Sequence, residues 1–331
     1  MSASIRDVAK LAEVSLGTVS NVLNNPDKVS PKTVERVQAA IDKLGFVRNE
    51  SARQLRAGKS RSIGMIVLDV SNPFFTEVAR AAEDRADQEG LSLMLANSDE
   101  SETREITLLE LFEQQRVHGI LISPQNQDID HIRRVRDRGT HVVLVDSSSI
   151  DKGFSSVSVD DVAGGKMAVQ HLLDCGKTKI AYVASRFDFP QVADRLKGAQ
   201  QAALNAGKQI TIFEAGNLNV IAGRNIGAQI IALPKSERPD GIFAANDLLA
   251  IGIMQAIIVD GSLRIPNDIA LIGYDDIEFA GAAIVPLTSI SQSAEIIGTT
   301  AVELLMEQGD SNATKQVVIE PQLIVRASTT R

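Results

Sequence analysis

The 331-residue chain has no tryptophan, a single cysteine (Cys175) and only 4% aromatic residues. One cysteine rules out an intrachain disulfide, and a lone thiol in such a chain reads as a small buried hydrophobe in a reducing compartment. No apolar run approaches the ~20 residues that span a bilayer. The N-terminus carries no charged-then-apolar leader, so the expectation is a cytoplasmic chain with no membrane partner. His118, His131, His141 and His171 show no ligand-pair spacing and Cys175 has no partner cysteine, so no metal site is expected. A Gly-x-Ser-x-Gly elbow, a phosphate loop and a dinucleotide glycine fingerprint are all missing. The carboxylates fall in no usable pairing, so neither an enzyme nor a cofactor is expected.

At this length two or three domains are expected. A hydrophobic content of 44% and a mean hydropathy of +0.01 belong to a globular chain. Charge is uneven. Residues 1–60 carry ten Lys/Arg against six Asp/Glu, net +4, while the remainder carries 24 against 36, net −12. A basic head on an acidic body fits a polyanion partner for the head alone, although +4 over sixty residues is also within ordinary surface variation.

The first sixty residues carry the clearest pattern. Ile5, Val8, Ala9 and Ala12 fall on one helical face. Ser15 can cap a second helix, because its side-chain oxygen can accept from N–H groups left open in the first turn. Val19, Val22 and Leu23 form that helix's apolar stripe. Ser30-Pro31 starts a third helix, with Val34, Val37, Ile41 and Leu44 inward and Gly45 as a left-handed stop. A helix–turn–helix of this shape can lay its second helix in the DNA major groove. A short basic segment follows.

From residue 62 short apolar runs alternate with helical periodicity. Strands are expected at 63–68, 91–96, 119–123, 141–145, 179–183, 210–214, 241–244, 269–273, 316–320 and 322–325. This alternation argues for parallel sheets covered by helices on both faces, and the length suffices for two. The fold class is therefore α/β: an all-α helix-turn-helix head plus two doubly wound parallel-sheet lobes. The expected divisions are 1–48 (DNA-binding head), 49–60 (hinge helix and linker), 61–158 with 289–318 (first lobe) and 159–288 with 319–331 (second lobe). The chain would cross between lobes near 160–164 and return near 286–291.

Several stretches, in order, resemble the lactose/galactose-repressor family of bacterial transcription regulators. They are Asp7-Val8-Ala9, Val14-Ser15, Thr18-Val19-Ser20, Val22-Leu23-Asn24, Val29-Ser30-Pro31, Ala52-Arg53-Gln54-Leu55, Ser71-Asn72-Pro73-Phe74-Phe75, Asn246-Asp247 and Gly273-Tyr274-Asp275-Asp276. The resemblance covers essentially the whole chain. It implies a body like the periplasmic sugar-binding proteins, with a ligand cleft between two lobes. On the head it implies that Leu16, Gly17, Ser20 and Asn21 reach base edges or nearby phosphates, with Ser15, Thr18 and Asn24 as phosphate contacts and caps. Asn21 can donate and accept together, which suits adenine. The family usually has Arg there, so a different base preference is expected. Glu13 stands in a left-handed turn where the family has Gly, at roughly 1 kcal/mol. In the linker, Ala52 and Leu55 share a face, Arg53 and Arg56 flank them as cations, and Leu55 matches a leucine that wedges into the minor groove at the operator centre. Arg48 stands where the family often has Pro, which loosens the entry to that segment.

In two-lobed folds ligand groups lie at the carboxyl ends of parallel strands. Asn72, Phe74, Phe75, Ser123, Asp146, Arg195, Asn246, Asp275 and Gln292 stand at or near such ends. Arg195, Asn246, Asp275 and Gln292 match ligand-binding positions of the family. Arg195 and Asp275 can grip vicinal hydroxyls from opposite sides. Phe74 and Phe75 either stack on a sugar ring or pack the core. Leu218 replaces a frequent aromatic and thins one wall. Asp69 is read as a loop cap, and Asp161, Asp247 and Asp276 as structural. The expected protein is a homodimeric repressor on a pseudo-palindromic operator, answering to a small effector: a sugar, leaning to a pentose such as ribose, or a nucleoside. No C-terminal leucine heptad is present to make it a tetramer. Two rivals are a global catabolite regulator controlled by a phosphorylated carrier protein and a sugar-binding transport module.

Overall fold

A computed structural model describes residues 3–46, 60–147, 152–310 and 314–330. Ala52, Arg53, Leu55 and Arg56 lie outside them. The chain divides into two compact units, residues 1–60 and 61–331.

In the first unit, helix α1 (Ile5–Leu11) opens with a capping box: Ser4 Oγ accepts from Asp7 N, and Asp7 Oδ2 accepts from Ser4 N at 2.9 Å. The turn that follows holds Glu13 at φ 51°, the left-handed conformation expected of it. Ser15 caps α2 (Leu16–Asn24), accepting from Thr18 N at 3.0 Å. Ser30 caps α3 (Pro31–Leu44), which stops at Gly45 with φ 57°. Val8, Ala9, Ala12, Val19, Val22, Val37 and Ala40 form the buried core.

The second unit contains two six-stranded sheets. Strands β1 (Ser62–Val67), β2 (Ser92–Asn97), β3 (Gly119–Ile122), β4 (Val142–Val145), β5 (Ser155–Val159) and β11 (Gln316–Ile319) make the first, all parallel, in the order β11-β5-β4-β3-β1-β2. Strands β6 (Ile180–Ala184), β7 (Ile210–Glu214), β8 (Gly241–Ala244), β9 (Ala270–Asp275), β10 (Thr288–Ser291) and β12 (Gln322–Ile324) make the second, in the order β12-β10-β9-β8-β6-β7, with only β12 antiparallel. Burial on both faces explains the continuous apolar runs. Ile66, Ile120, Ile122, Val142 and Leu144 pack one face of the first sheet, and Met65, Val67, Leu121, Val143 and Val145 the other.

Two strands escaped sequence reading. β5 is Ser-Ser-Val-Ser-Val, polar in composition yet buried at every position. β10 occupies the stretch read as the return crossing. It pairs with β9, so the chain leaves the second sheet after Ser291 rather than at 289.

Nine helices flank these sheets: α4 (Pro73–Gln88), α5 (Glu102–Gln114), α6 (Asp130–Asp137), α7 (Asp161–Asp174), α8 (Pro190–Asn205), α9 (Val220–Ala232), α10 (Asp247–Asp260), α11 (Glu278–Gly281) and α12 (Ala294–Asp310) among the described residues. Helices α7 and α8 touch backbone to backbone. A Cβ on Gly165 would meet Arg195 O at 1.9 Å, and one on Gly198 would meet Val162 O at 1.9 Å. This contact brings the first turn of α7 against the middle of α8. Gly198→Ala forces the helices apart and should cost about 1–3 kcal/mol, the usual scale of overpacking. Urea denaturation reads this, and an unchanged midpoint would show that the close approach is dispensable.

Candidate functional site

On the first unit, Gly17, Asn21 and Asn24 are exposed on one face of α2 with Ser20 beside them, opposite the buried Val19 and Val22. Leu16 is 46% exposed at the helix start, a large apolar side chain with no place in the core. Asn24 Nδ2 donates to Ser20 O at 2.8 Å, so it ties down the helix end. Ser15 and Thr18 hold each other at 2.9 Å in the capping turn. No side chain crowds Gly17 beyond ordinary contact with Ser15 Oγ at 3.6 Å. The exposed polar amide of Asn21 is therefore free to present both a donor and an acceptor outward.

On the second unit a cleft opens at the carboxyl ends of both sheets, with about 540 Å³ of space between its walls when the open solvent at its mouth is included. It is lined by Asn72, Phe74, Phe75, Asp146, Arg195, Leu218, Asn246, Asp275 and Gln292. Ser123 does not line it. β3 is an interior strand flanked by β1 and β4, and Ser123 at its end has no exposed surface.

Arg195 is the centre of the arrangement. Its Nε donates to Asp161 Oδ1 at 2.7 Å and its Nη1 to Ala245 O at 2.8 Å. Asp275 Oδ1 lies 3.9 Å from Nη1, and the guanidinium carbon sits 3.7 Å from the centre of the Tyr274 ring. Burial opposes the charge, but Asp161, Tyr274, Asp275 and Asp146 together outweigh it and raise the Arg195 pKa well above its ordinary value. Asp161 is pushed up by burial and pulled back by Arg195.

Asp275 ends β9 at φ 104° and Asp146 follows β4 at φ 52°, both in the left-handed region. Aspartate tolerates it better than most residues, and such strain concentrates at functional sites. The register that sets Ser291 opposite Asp275 brings Gln292 alongside, and Gln292 Nε2 donates to Asp275 Oδ1 at 2.7 Å. Asn72 caps α4, accepting from Phe74 N at 3.1 Å, and its Nδ2 reaches Asp275 Oδ2 at 3.2 Å. Both oxygens of Asp275 thus each accept from one amide, so a ligand hydroxyl in the anticipated two-sided grip with Arg195 would share that carboxylate with protein groups. Asn246 is committed as well: Oδ1 caps α10 through Leu249 N and Nδ2 donates to Leu218 O, each at 2.9 Å. Two lining acceptors, Asp146 Oδ1 and Gln292 Oε1, are buried without a hydrogen-bond partner.

Phe74 and Phe75 meet edge to face at 5.1 Å and are both buried, so they build the core and the cleft wall together. Asp69 caps its turn through Ser71 N at 2.8 Å, as expected, and also faces the cleft. Asp247 accepts from Ser289 Oγ and Ile277 N, and Asp276 from Arg326, in structural roles. Sequence reading missed Glu100, Phe189, Gln191 and Val192. Gln191 precedes Arg195 by four residues and so shares its helical face, and Glu100 follows the end of β2. Those two signals were available. Among the described residues no group of three or more His, Cys, Asp or Glu could hold a metal ion, and no helix is long and apolar enough to cross a membrane.

Residues 4–49 match the family model for bacterial regulatory proteins of the lacI family, and residues 169–329 match that of a periplasmic binding protein-like domain. The ribose operon repressor of Escherichia coli K12 is 34% identical over 92% of this chain and 93% of its own. The lac repressor dimer bound to operator and an anti-inducer superposes with a TM-score of 0.85 at 28% identity, covering all of both chains. A LacI family regulator from Enterococcus faecium with bound ribose gives 0.74 at 26% identity, over 81% of this chain and 98% of that one. The carrier-protein and transport readings draw no support from these similarities.

Burial lifts the Asp275 carboxyl to about 6, offset only in part by Arg195 and the Asn72 and Gln292 amides. An unfolded aspartate titrates near ~3.9. The folded state therefore holds the extra proton between roughly pH 4 and 6, and stability falls as pH rises through that window. Asp275→Asn removes this titration. The stability of the unaltered protein relative to the variant should fall by on the order of 3 kcal/mol from pH 4 to pH 7. Denaturation at constant ionic strength measures it, and a difference that stays flat across the window refutes the assignment.

Proposed function

Because the chain belongs to the LacI family of bacterial regulatory proteins, and is a DNA-binding transcriptional regulator modulated by an effector, we propose a specific division of labour. Residues 1–48 bind a half-site of a pseudo-palindromic operator as one half of a homodimer, with α2 in the major groove and Asn21 on a base edge. Residues 49–60 link this head to the body, and Arg53, Leu55 and Arg56, with Ala52 beside them, engage the minor groove at the operator centre. Such a protein works in the cytoplasm, where its operator is, and carries out no catalysis. The effector is a small polyhydroxylated molecule held between the two sheets of the body. A pentose is favoured, in keeping with the ribose operon repressor and the ribose-bound regulator it resembles. The observation that carries this reading is the cleft in which polar side chains from the ends of both sheets converge around one buried arginine. Effector binding shifts the balance between relative arrangements of the two sheets, and only differential affinity for those arrangements can change operator binding.

Fluorescence anisotropy with labelled promoter fragments against random duplex, at fixed moderate salt, tests this. Asn21→Ala should weaken the preferred fragment by on the order of 1–3 kcal/mol and reduce discrimination at one base pair. Leu55→Ala should lower operator affinity by about tenfold or more with effector binding intact. No preference for any promoter fragment, with or without sugars, defeats the proposal.

A further inference from the structure

Resting on the effector reading above, we propose that the cleft selects an uncharged polyol and rejects its phosphorylated counterpart, with Asp146 as the discriminating residue. Asp146 and Gln292 line the cleft, and Asp146 Oδ1 and Gln292 Oε1 are both buried and both without a hydrogen-bond partner. Gln292 Oε1 can only accept, and Asp146 Oδ1 accepts when its carboxyl is ionised, so ligand atoms that donate, as hydroxyls do, match both. Gln292 cannot turn its amide round to donate instead. Its Nε2 is held by Asp275 Oδ1 at 2.7 Å, and reversal would set oxygen against carboxylate. Asp146 is fixed by Gln191, whose Nε2 donates to the Asp146 carbonyl oxygen and lies 3.5 Å from Oδ2, leaving Oδ1 as the open acceptor.

The balance of charge around these atoms disfavours an anion. Asp69, Glu100, Asp146 and Asp275 line the cleft, against Arg195 as the one lining cation among the described residues. Arg195 is already engaged by Asp161 at 2.7 Å, and Arg186 is taken up by Glu100 at 2.6 Å and Asp188 at 3.1 Å. A phosphate would meet four lining carboxylates against a single lining guanidinium whose Nε and Nη1 are already bonded to protein groups, a repulsive element of the kind that sets specificity. Burial first, then the neighbouring Asp161, pushes the Asp146 carboxyl upward against the pull of Arg195, so its negative charge is already disfavoured and an anion placed beside it would disfavour it further. A cationic ligand is disfavoured in turn by the Arg195 guanidinium at the centre. A neutral molecule with several hydroxyls satisfies both conditions.

Calorimetry on the full chain with matched pairs decides the matter: D-ribose with D-ribose 5-phosphate, D-glucose with D-glucose 6-phosphate, and adenosine with adenosine 5′-monophosphate. In the pair that binds, the uncharged member should be tighter by about 100-fold or more. Asp146→Asn keeps the shape and removes the charge. It should weaken the uncharged member, strengthen the phosphorylated one and shrink their ratio by about tenfold or more, whereas mere structural damage weakens both alike. A phosphorylated member that binds equally or more tightly overturns this inference and leaves the effector reading standing. An unchanged ratio in Asp146→Asn overturns the role of Asp146. Failure of every member of every pair to bind or to alter operator affinity overturns the effector reading and this inference with it.

Discussion

A buried guanidinium must have its charge and its hydrogen-bond donors answered, since an isolated ion away from water costs far more than a folded domain's margin of stability. Arg195 meets this demand with the Asp161 carboxylate, the Ala245 carbonyl, the face of Tyr274 and the nearby charge of Asp275. These partners come from three separate parts of the chain. Asp161 opens α7, Ala245 follows β8, and Tyr274 and Asp275 end β9. The arrangement therefore depends on backbone placement. The absence of side chains at Gly165 and Gly198 lets α7 approach α8 closely enough for the 2.7 Å ion pair. The left-handed backbone at Asp275 is a local cost of order 1–3 kcal/mol, borne by a site whose surroundings over-determine its geometry.

Three contacts join the two sheets around the cleft. Asn72, after β1, meets Asp275, at the end of β9. Gln191, on α8, meets Asp146, after β4. Arg186, after β6, meets Glu100, after β2. All involve polar groups at or beside the cleft. A ligand that donates to Asp146 or competes for Asp275 necessarily alters the balance among these contacts, and this gives effector binding a physical route into the relation between the sheets. Aliphatic packing alone would not respond this way, because it has no preference for one hydroxyl pattern over another.

Much of this was legible in the residues. Caps at Ser15 and Ser30, the stop at Gly45 and the 3.6-residue stripes define the three helices of the head, since each is a local hydrogen-bond or steric requirement. Most strands announced themselves as short apolar runs, because sheets covered on both faces tolerate little else. β5 did not. Its serines are buried through neighbours distant in sequence, with Ser155 Oγ accepting from Lys315 N at 3.1 Å. β10 was hidden for a similar reason, as its Ser289 hydroxyl serves Asp247.

Local chemistry and periodicity thus determined the head, the alternation of strand and helix, and the residue types that would gather at strand ends, because each depends on neighbours a few positions away. Tertiary structure alone decided which of those residues meet and what each is left free to do. Ser123 and Asp146 both follow strands of one sheet, yet only Asp146 lines the cleft. Asp275 and Arg195 read as open ligand grips from the sequence and are partly engaged by protein groups, while Asp146 Oδ1 and Gln292 Oε1 have no hydrogen-bond partner. Hydrogen-bond saturation is a property of three-dimensional neighbourhoods, and no spacing along the chain encodes it.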